Sequence, residues 1–272
     1  RLARLCVPLI EISTGPVIAS PEEAGKTALA IGRVLRPTKK VKRGLGSVRQ
    51  DLNISIKQGA LVEIKGVQEL ELVSQVVEYE VQRQLSLLGI RDELRQRNVK
   101  DSNLKKDFVD VTSILAESKS KVVHSALKHG GVAYAVCLHG FKGLLKRELV
   151  PGVRLGTEMA KRAAFWGKVG GIVHSDELPG YGIESNHVDL IAQKLGCKEL
   201  DAFVVIADQK ENAFDGLRAI VERAREAIHL VPDETRAANP DGTTHYMRPR
   251  PGAARMYPET DVPPVSVSPE RI

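Results

Sequence analysis

The hydrophobic and polar positions divide the chain into segments of period two and segments of period three to four. Residues 7–12, Val-Pro-Leu-Ile-Glu-Ile, are rich in β-branched side chains and predict a strand. Ser20-Pro-Glu-Glu23 then opens a helix. Ser20 caps it, Pro21 takes the first helical position and Glu23 completes a capping box. The helix should run to about Arg36, where Pro37 stops it. Residues 47–56 and 61–67 read as two strands, joined by a hairpin turn at Lys57-Gln-Gly-Ala60. Leu70, Val73, Val77, Val81, Leu85 and Leu88 form one apolar stripe, which predicts a helix over 69–88. Gly89 and the charged run 91–97 are expected to end it.

The polar stretch 98–106 marks a junction, after which the pattern changes. Helical segments (112–128, 156–166, 184–195, 214–228) alternate with strands (132–138, 169–174, 202–207). That alternation predicts a compact two-layer α/β or α+β unit with its own core. Residues 232–241 read as a linker, and 243–267 as a Pro- and Arg-rich mixture of strand and loop. No internal repeat is present. The chain is expected to be α+β, with a β-rich flanking domain made of 1–106 and 231–272 and an inserted α/β unit at 107–230.

Composition narrows the function classes. With 272 residues, 42% hydrophobic and 27% charged, the chain is not disordered. No run approaches the ~18 apolar residues of a membrane span. Both ends look cut, as in part of a longer protein. Only 4% of residues are aromatic, which argues against a stacking platform for single-stranded nucleic acid. The net charge is +6, and its distribution matters more than the sum. Between Glu23 and Asp51 no acidic residue occurs, while Lys26, Arg33, Arg36, Lys39, Lys40, Lys42, Arg43 and Arg49 do. Such a patch attracts phosphate backbones, or is a solvated basic face. Cys6, Cys137 and Cys197 are far apart in sequence and form no CxxC pair or Cys/His metal spacing. They read as buried thiols in a reducing, cytoplasmic compartment.

The chemistry-bearing candidates are Glu11, Arg49, Asp51, Glu63 and Lys65. Arg49 and Asp51 lie two apart on one predicted strand, and Glu63 and Lys65 two apart on the next. Period two therefore turns both pairs to one sheet face. Carboxylates bind Mg²⁺ through oxygen, and Arg or Lys clamps phosphate, so the set suits phosphoryl transfer. Ordinary cross-strand ion pairs on a wet sheet face are the competing reading. Gly25-Lys26-Thr27 imitates the end of a phosphate-binding loop, but Ser20 stands where its first Gly belongs and the segment is helical. His174-Ser-Asp-Glu177 is either a metal cluster or a strand end with a satisfied His. Arg248, Arg250 and Arg255 either meet a ligand or brace a Pro-rich loop through Glu259 and Asp261.

Several strings carry a resemblance. Pro8-Leu-Ile-Glu-Ile12, Ser20-Pro-Glu-Glu-Ala24, Gly44-Leu-Gly-Ser-Val-Arg-Gln-Asp-Leu-Asn-Ile-Ser55 and Val62-Glu-Ile-Lys-Gly-Val-Gln-Glu-Leu70 resemble the GatB/GatE family. These are the kinase and tRNA-binding subunits of tRNA-dependent amidotransferases. The segment from Tyr246 to Pro264 looks like the same family resuming. Gly140-Phe-Lys-Gly-Leu-Leu145, Leu155-Gly-Thr-Glu158 and His174-Ser-Asp-Glu-Leu-Pro-Gly-Tyr-Gly182 resemble the insert (GAD) domain of its archaeal branch, which bacterial-type aspartyl-tRNA synthetases share. The flanking motifs lack the class II signatures of those synthetases. The resemblance implies a cradle domain interrupted by that insert.

It also implies an activity. ATP, with Mg²⁺, phosphorylates the γ-carboxyl of glutamate misacylated onto tRNA(Gln), and ammonia from a GatD-type amidase subunit displaces the phosphate. Glu11 matches a family Mg²⁺ ligand, while the family's N-terminal metal-binding His and acidic residues do not occur in this sequence. Arg49, Asp51, Glu63 and Lys65 match the family's Arg-x-Asp and Glu-x-Lys steps and are expected on the kinase-site floor, Arg49 and Lys65 facing the nucleotide. Lys39, Lys40, Lys42 and Arg43 are expected to face tRNA. A glutaminase nucleophile is not legible: no cysteine has a partnered His at a recognisable spacing, and no Gly-x-Ser-x-Gly elbow occurs. A non-catalytic tRNA-binding or scaffold module is the alternative.

Overall fold

The computed structural model describes residues 10–42, 44, 47–250 and 268–269. Helix α1 (Pro21–Leu35) starts as its sequence dictates. Ser20 Oγ accepts from the Glu23 amide at 3.2 Å, and Glu23 reaches back to the Ala19 amide at 2.8 Å. A 3-10 turn at Arg36–Thr38 carries Pro37 and closes the helix. Gly25, Lys26 and Thr27 lie inside α1, so they form no phosphate loop. The strand expected over 7–12 falls partly outside the described residues, and 10–12 are irregular.

Strands β1 (Leu52–Ile54) and β2 (Val62–Lys65) pair antiparallel, with Asn53 opposite Glu63. Both are shorter than the alternation suggested. The loop between them takes its turn at Gln58, at φ 67°, and is tied to the next helix: the Ala60 amide donates to Gln84 Oε1 at 3.1 Å. A Cβ on Gly59 would lie 2.1 Å from that same oxygen and would push the Gln84 side chain out of this contact.

Helix α2 runs Leu70–Gln96, straight through Gly89 and the charged run expected to end it. Ile90 and Leu94 continue its buried side, and burying them outweighs the ~1 kcal/mol a helical glycine costs. The buried positions also depart from the expected stripe. Leu85 is exposed, whereas Glu80, Arg83 and Gln84 are buried. These polar side chains are buried because each is paired: Arg83 binds Glu80 and an acidic group of another element described below, and Gln84 donates to Glu80 while accepting from the Ala60 amide.

The middle region contains β3 (Val109–Asp110), β4 (Val132–Leu138), β7 (Val173–His174) and β8 (Ala202–Asp208) in one sheet of order β3-β4-β8-β7. Every pairing in it is antiparallel. A small β5 (Glu148–Val150) and β6 (Val153–Arg154) hairpin, not legible in the alternation, precedes helix α5 (Leu155–Gly167). The helix expected over 112–128 is two, α3 (Thr112–Ala116) and α4 (Lys121–Lys128). Ser118 Oγ bonds back to the Leu115 carbonyl and the Lys119 amide to Gly182, which diverts the backbone between them. Helices α6 (Ser185–Leu195) and α7 (Lys210–His229) complete the region.

The layer count differs from the two expected. Val204 and Ile206 of β8 pack into a core with α5, α7 and the end of α2, whereas Phe203 and Val205 face α3, α4 and α6. A strand buried on both faces shows a continuous apolar run rather than alternation.

The chain then returns to the first sheet. Strand β9 (Glu234–Ala238) occupies the expected linker and pairs in parallel with β2, and β10 (Thr244–Pro249) follows antiparallel, giving the order β1-β2-β9-β10. The linker reading fails because Glu234, Thr235 and Arg236 are polar yet buried. A core of Ala24, Ile54, Val62, Ile64, Val67, Val73 and Val76 joins this sheet to α1 and α2. Among the described residues the flanking unit carries more helix than strand, contrary to the β-rich expectation. Its 27-residue α2 sets that balance.

Candidate functional site

The β1-β2-β9 sheet carries polar side chains on the face opposite that core. Val62 and Ile64 point inward, so Glu63 and Lys65 point outward. Lys65 Nζ sits between two carboxylates, 2.8 Å from Glu63 Oε1 and 2.9 Å from Asp51 Oδ2. Thr235 of β9, directly beside Glu63 in the parallel register, donates its hydroxyl to Glu63 Oε2 at 2.9 Å. Thus both Glu63 oxygens are engaged. Arg248, opposite Thr235 on β10, has a buried Nε without a hydrogen-bond partner among the described residues. Arg250 pairs with Asp233 at 3.3 Å.

These contacts set the charge states. Burial pushes the Glu63 carboxyl up, but hydrogen bonds from Lys65 and Thr235, with the charges of Lys65 and Arg250, outweigh it and hold it below the usual carboxylate range. Burial lowers the Lys65 ammonium, yet Glu63 and Asp51 more than compensate and raise it. These shifts keep Glu63 ionised and Lys65 protonated at neutral pH, and the trio is partly open to solvent.

The predicted residues separate into two groups. Asp51, Glu63 and Lys65 come together. Arg49 and Glu11 are exposed, and no hydrogen bond or ion pair joins either to the trio. Lys39, Lys40 and Lys42 are exposed and pair with no carboxylate among the described residues, whereas Arg43 lies outside them. Arg255, Glu259 and Asp261 also lie outside the described residues. Thr235 is a site residue that sequence reasoning missed: its only signal was a position in a stretch that looks like a linker.

Mg²⁺ is commonly held through one or two carboxylates plus substrate phosphates and waters. Asp51 and Glu63 place carboxylate oxygens at neighbouring positions, and a cation held in that mode would share or take the oxygens that Lys65 and Thr235 engage. They do not form a three-ligand cage among the described residues; the one such His/Cys/Asp/Glu group found is Cys137, His139 and Asp201. In the His174 cluster, Asp176 accepts from the Gly143 and Leu145 amides and clamps a loop at the strand end, but the His is not satisfied as expected: it is buried, 3.5 Å from Glu177, and its Nδ1 has no hydrogen-bond partner among the described residues.

Behind the polar face lies an ionic cluster. Arg236 of β9 reaches Glu158 of α5 at 2.8 Å, and Arg83 of α2 reaches Glu158 at 3.0 Å and Glu80 at 2.8 Å. Arg162 binds Glu226 and Glu234, and Arg223 approaches Glu158 at 3.6 Å. All but Arg162 and Glu226 are essentially buried. The cluster joins the sheet that carries the site to α5 and α7 of the middle region.

Known proteins resemble this chain along its whole length. The GatB/GatE catalytic domain matches residues 1–272. The GatE component of glutamyl-tRNA(Gln) amidotransferase from Aeropyrum pernix is 58% identical over 269 residues, covering 98% of this chain and 42% of that protein. The component of the same name from Thermococcus gammatolerans is 56% identical over 99% of the chain and 43% of its own length. That of Methanocaldococcus jannaschii is 52% identical over 100% of the chain and 43% of its length. The chain thus spans less than half the length of these relatives. It belongs to the GatB/GatE family, among the archaeal GatE sequences.

Proposed function

We propose that this chain is the activating portion of a glutamyl-tRNA(Gln) amidotransferase, a ligase that converts misacylated Glu-tRNA(Gln) to Gln-tRNA(Gln) with ATP and ammonia. The supporting observation is the Asp51–Lys65–Glu63 clamp on an open sheet face. In this reading the glutamate γ-carboxylate attacks the γ-phosphorus of ATP, giving an acyl phosphate and ADP. Ammonia from a GatD-type amidase subunit then adds to the carbonyl carbon and phosphate leaves. Asp51 and Glu63 would hold Mg²⁺, which when bound would supply charge neutralisation at the phosphates. Lys65 and Arg49 share that neutralisation, which is most of the catalysis in phosphoryl transfer. Thr235 orients Glu63. Glu11 is a further Mg²⁺ ligand in this proposal.

The remaining assignments follow the same reading. Residues 1–106 and 231–272 form the cradle, and 107–230 the insert of the aspartyl-tRNA-synthetase type. Lys39, Lys40, Lys42 and Arg43 contact tRNA, and the protein works in the cytoplasm. Among the described residues no helix is long and apolar enough to cross a membrane.

Glu63→Gln and Asp51→Asn in the full-length protein, assayed with its amidase partner, test the proposal. Each should cut Gln-tRNA formation by about 100-fold or more while leaving tRNA binding intact. Unchanged product formation removes these residues from the chemistry. The lysines after α1, which pair with no carboxylate among the described residues, favour a second reading, a tRNA-binding or scaffold module. ATP calorimetry separates the two, since Mg²⁺-dependent binding belongs to the enzyme alone.

A further inference from the structure

Two cysteines 60 residues apart in sequence meet in the middle region: Cys137 Sγ and Cys197 Sγ are 3.2 Å apart. Reading them as isolated thiols overlooks this, because only the fold brings them together. Both backbones are fixed. Cys137 lies in β4, opposite Phe203 of β8. Cys197 follows the left-handed Gly196 that ends α6, and its amide donates to the Ala192 carbonyl at 2.9 Å. Cys137 is 9% exposed, whereas Cys197 is partly open to solvent. A cleft of about 160 Å³ lined by Lys105, Asp107, Cys137 and His139 opens at Cys137, while Cys197, which does not line it, reaches solvent through its own partly exposed side.

The neighbours favour a dithiol over a metal. Cys137 Sγ, His139 Nδ1 and an Asp201 oxygen lie close enough together to suggest zinc. Asp201, however, is committed elsewhere. Its Oδ1 accepts from the Gly140 amide at 2.9 Å, and its Oδ2 accepts from the Lys198 amide and faces His139 Nδ1, each at 2.8 Å. The two sulfurs are left facing each other. Contact with Cys137 pulls the Cys197 thiol below its ordinary range, while contact with Cys197, with burial, pushes Cys137 up. The more accessible sulfur is therefore the first to ionise, and the buried one is placed to resolve.

We propose that Cys137 and Cys197 form a reversible redox site, oxidised to an intramolecular disulfide by exchange with a low-molecular-weight disulfide. The Cys197 thiolate attacks one reagent sulfur, the reagent S–S bond breaks, and one reagent thiolate leaves with the electron pair and takes a proton from water. Cys137 then gives its proton to solvent, its sulfur attacks Cys197 Sγ, and the second reagent thiolate leaves and is protonated. Two cysteines lose two electrons and the reagent disulfide gains them. The new bond ties β4 to the α6–β8 connection and encloses α5 and α6 in one covalent loop.

The test equilibrates the full-length protein with oxidised glutathione, then alkylates it under denaturing conditions and weighs its peptides. Of the three cysteines in this chain, all should be alkylated in the reduced protein and only Cys6 in the oxidised protein. A peptide map should join Cys137 to Cys197, and oxidation should raise the melting temperature by about 5–10 °C. Cys137→Ser should instead trap glutathione on Cys197. Alkylation of all three after oxidation, a bridge through Cys6, or a native mass with zinc bound and both thiols inert would each overturn the proposal.

Discussion

Lys65 holds two carboxylates that would otherwise repel one another across a strand pair. Its side chain is 27% exposed and that of Asp51 33%, so solvent screens the pairs and they add little stability. Lys65→Met should therefore shift unfolding free energy by less than about 1 kcal/mol. Under the proposed chemistry it should nevertheless lower Gln-tRNA formation by about 100-fold or more, because the transferring phosphoryl loses a cation. Denaturant unfolding and product assay on the same preparation decide this; a loss of stability matching the loss of activity would make Lys65 a structural residue. The clamp was legible because alternation is a local rule, so Asp51, Glu63 and Lys65 could be placed on one face from spacing alone. Thr235 could not, since it reaches Glu63 from 172 residues away. Nothing local to either residue signals that contact.

Elements were legible where the signal is local to the segment. The α1 capping box and β4 follow their local signals closely because those signals are contained within the segment. Helix α2 and strand β9 depart from expectation because each buries polar groups whose partners lie in other elements. Glycine has opposite meanings in two helices. In α2, a Cβ on Gly89 would meet nothing within 4 Å, and its backbone is helical. Gly89→Ala should stabilise the protein by about 0.5–1 kcal/mol, read as a higher melting temperature. At the α5–α7 crossing, a Cβ on Gly167 would lie 2.5 Å from both the Asn212 carbonyl oxygen and the Gly216 amide nitrogen. Backbone cannot move aside as a side chain can. Gly167→Ala should force the helices apart and destabilise by about 1–3 kcal/mol. If both alanines act alike in thermal unfolding, helix propensity rather than close packing governs these positions.

At the scale of the molecule, the buried ionic cluster couples the site-bearing sheet to the middle region. Arg83 and Arg236 approach Glu158 from α2 and β9, while Glu158 itself belongs to α5. Removing one partner of such a cluster leaves the others charged and buried. Glu158→Gln should therefore cost about 3–5 kcal/mol at neutral pH. The pH dependence gives a sharper check. Burial raises the Glu158 carboxyl, but the charges of Arg236, Arg83 and Arg223 outweigh it and hold it far below the usual carboxylate range. A carboxylate depressed in the folded state binds its proton more readily in the unfolded chain. Its stabilisation is complete above the unfolded value and fades as pH falls from about 5 toward the folded one. Glu63 and Asp201, also depressed, add to the same slope and remain in the variant. Urea unfolding of both proteins from pH 7 to pH 3 should show the wild type losing stability faster, so that the gap between them narrows with acid. Parallel curves would mean that the arginines hold Glu158 by shape and hydrogen bonding, with no contribution from its charge.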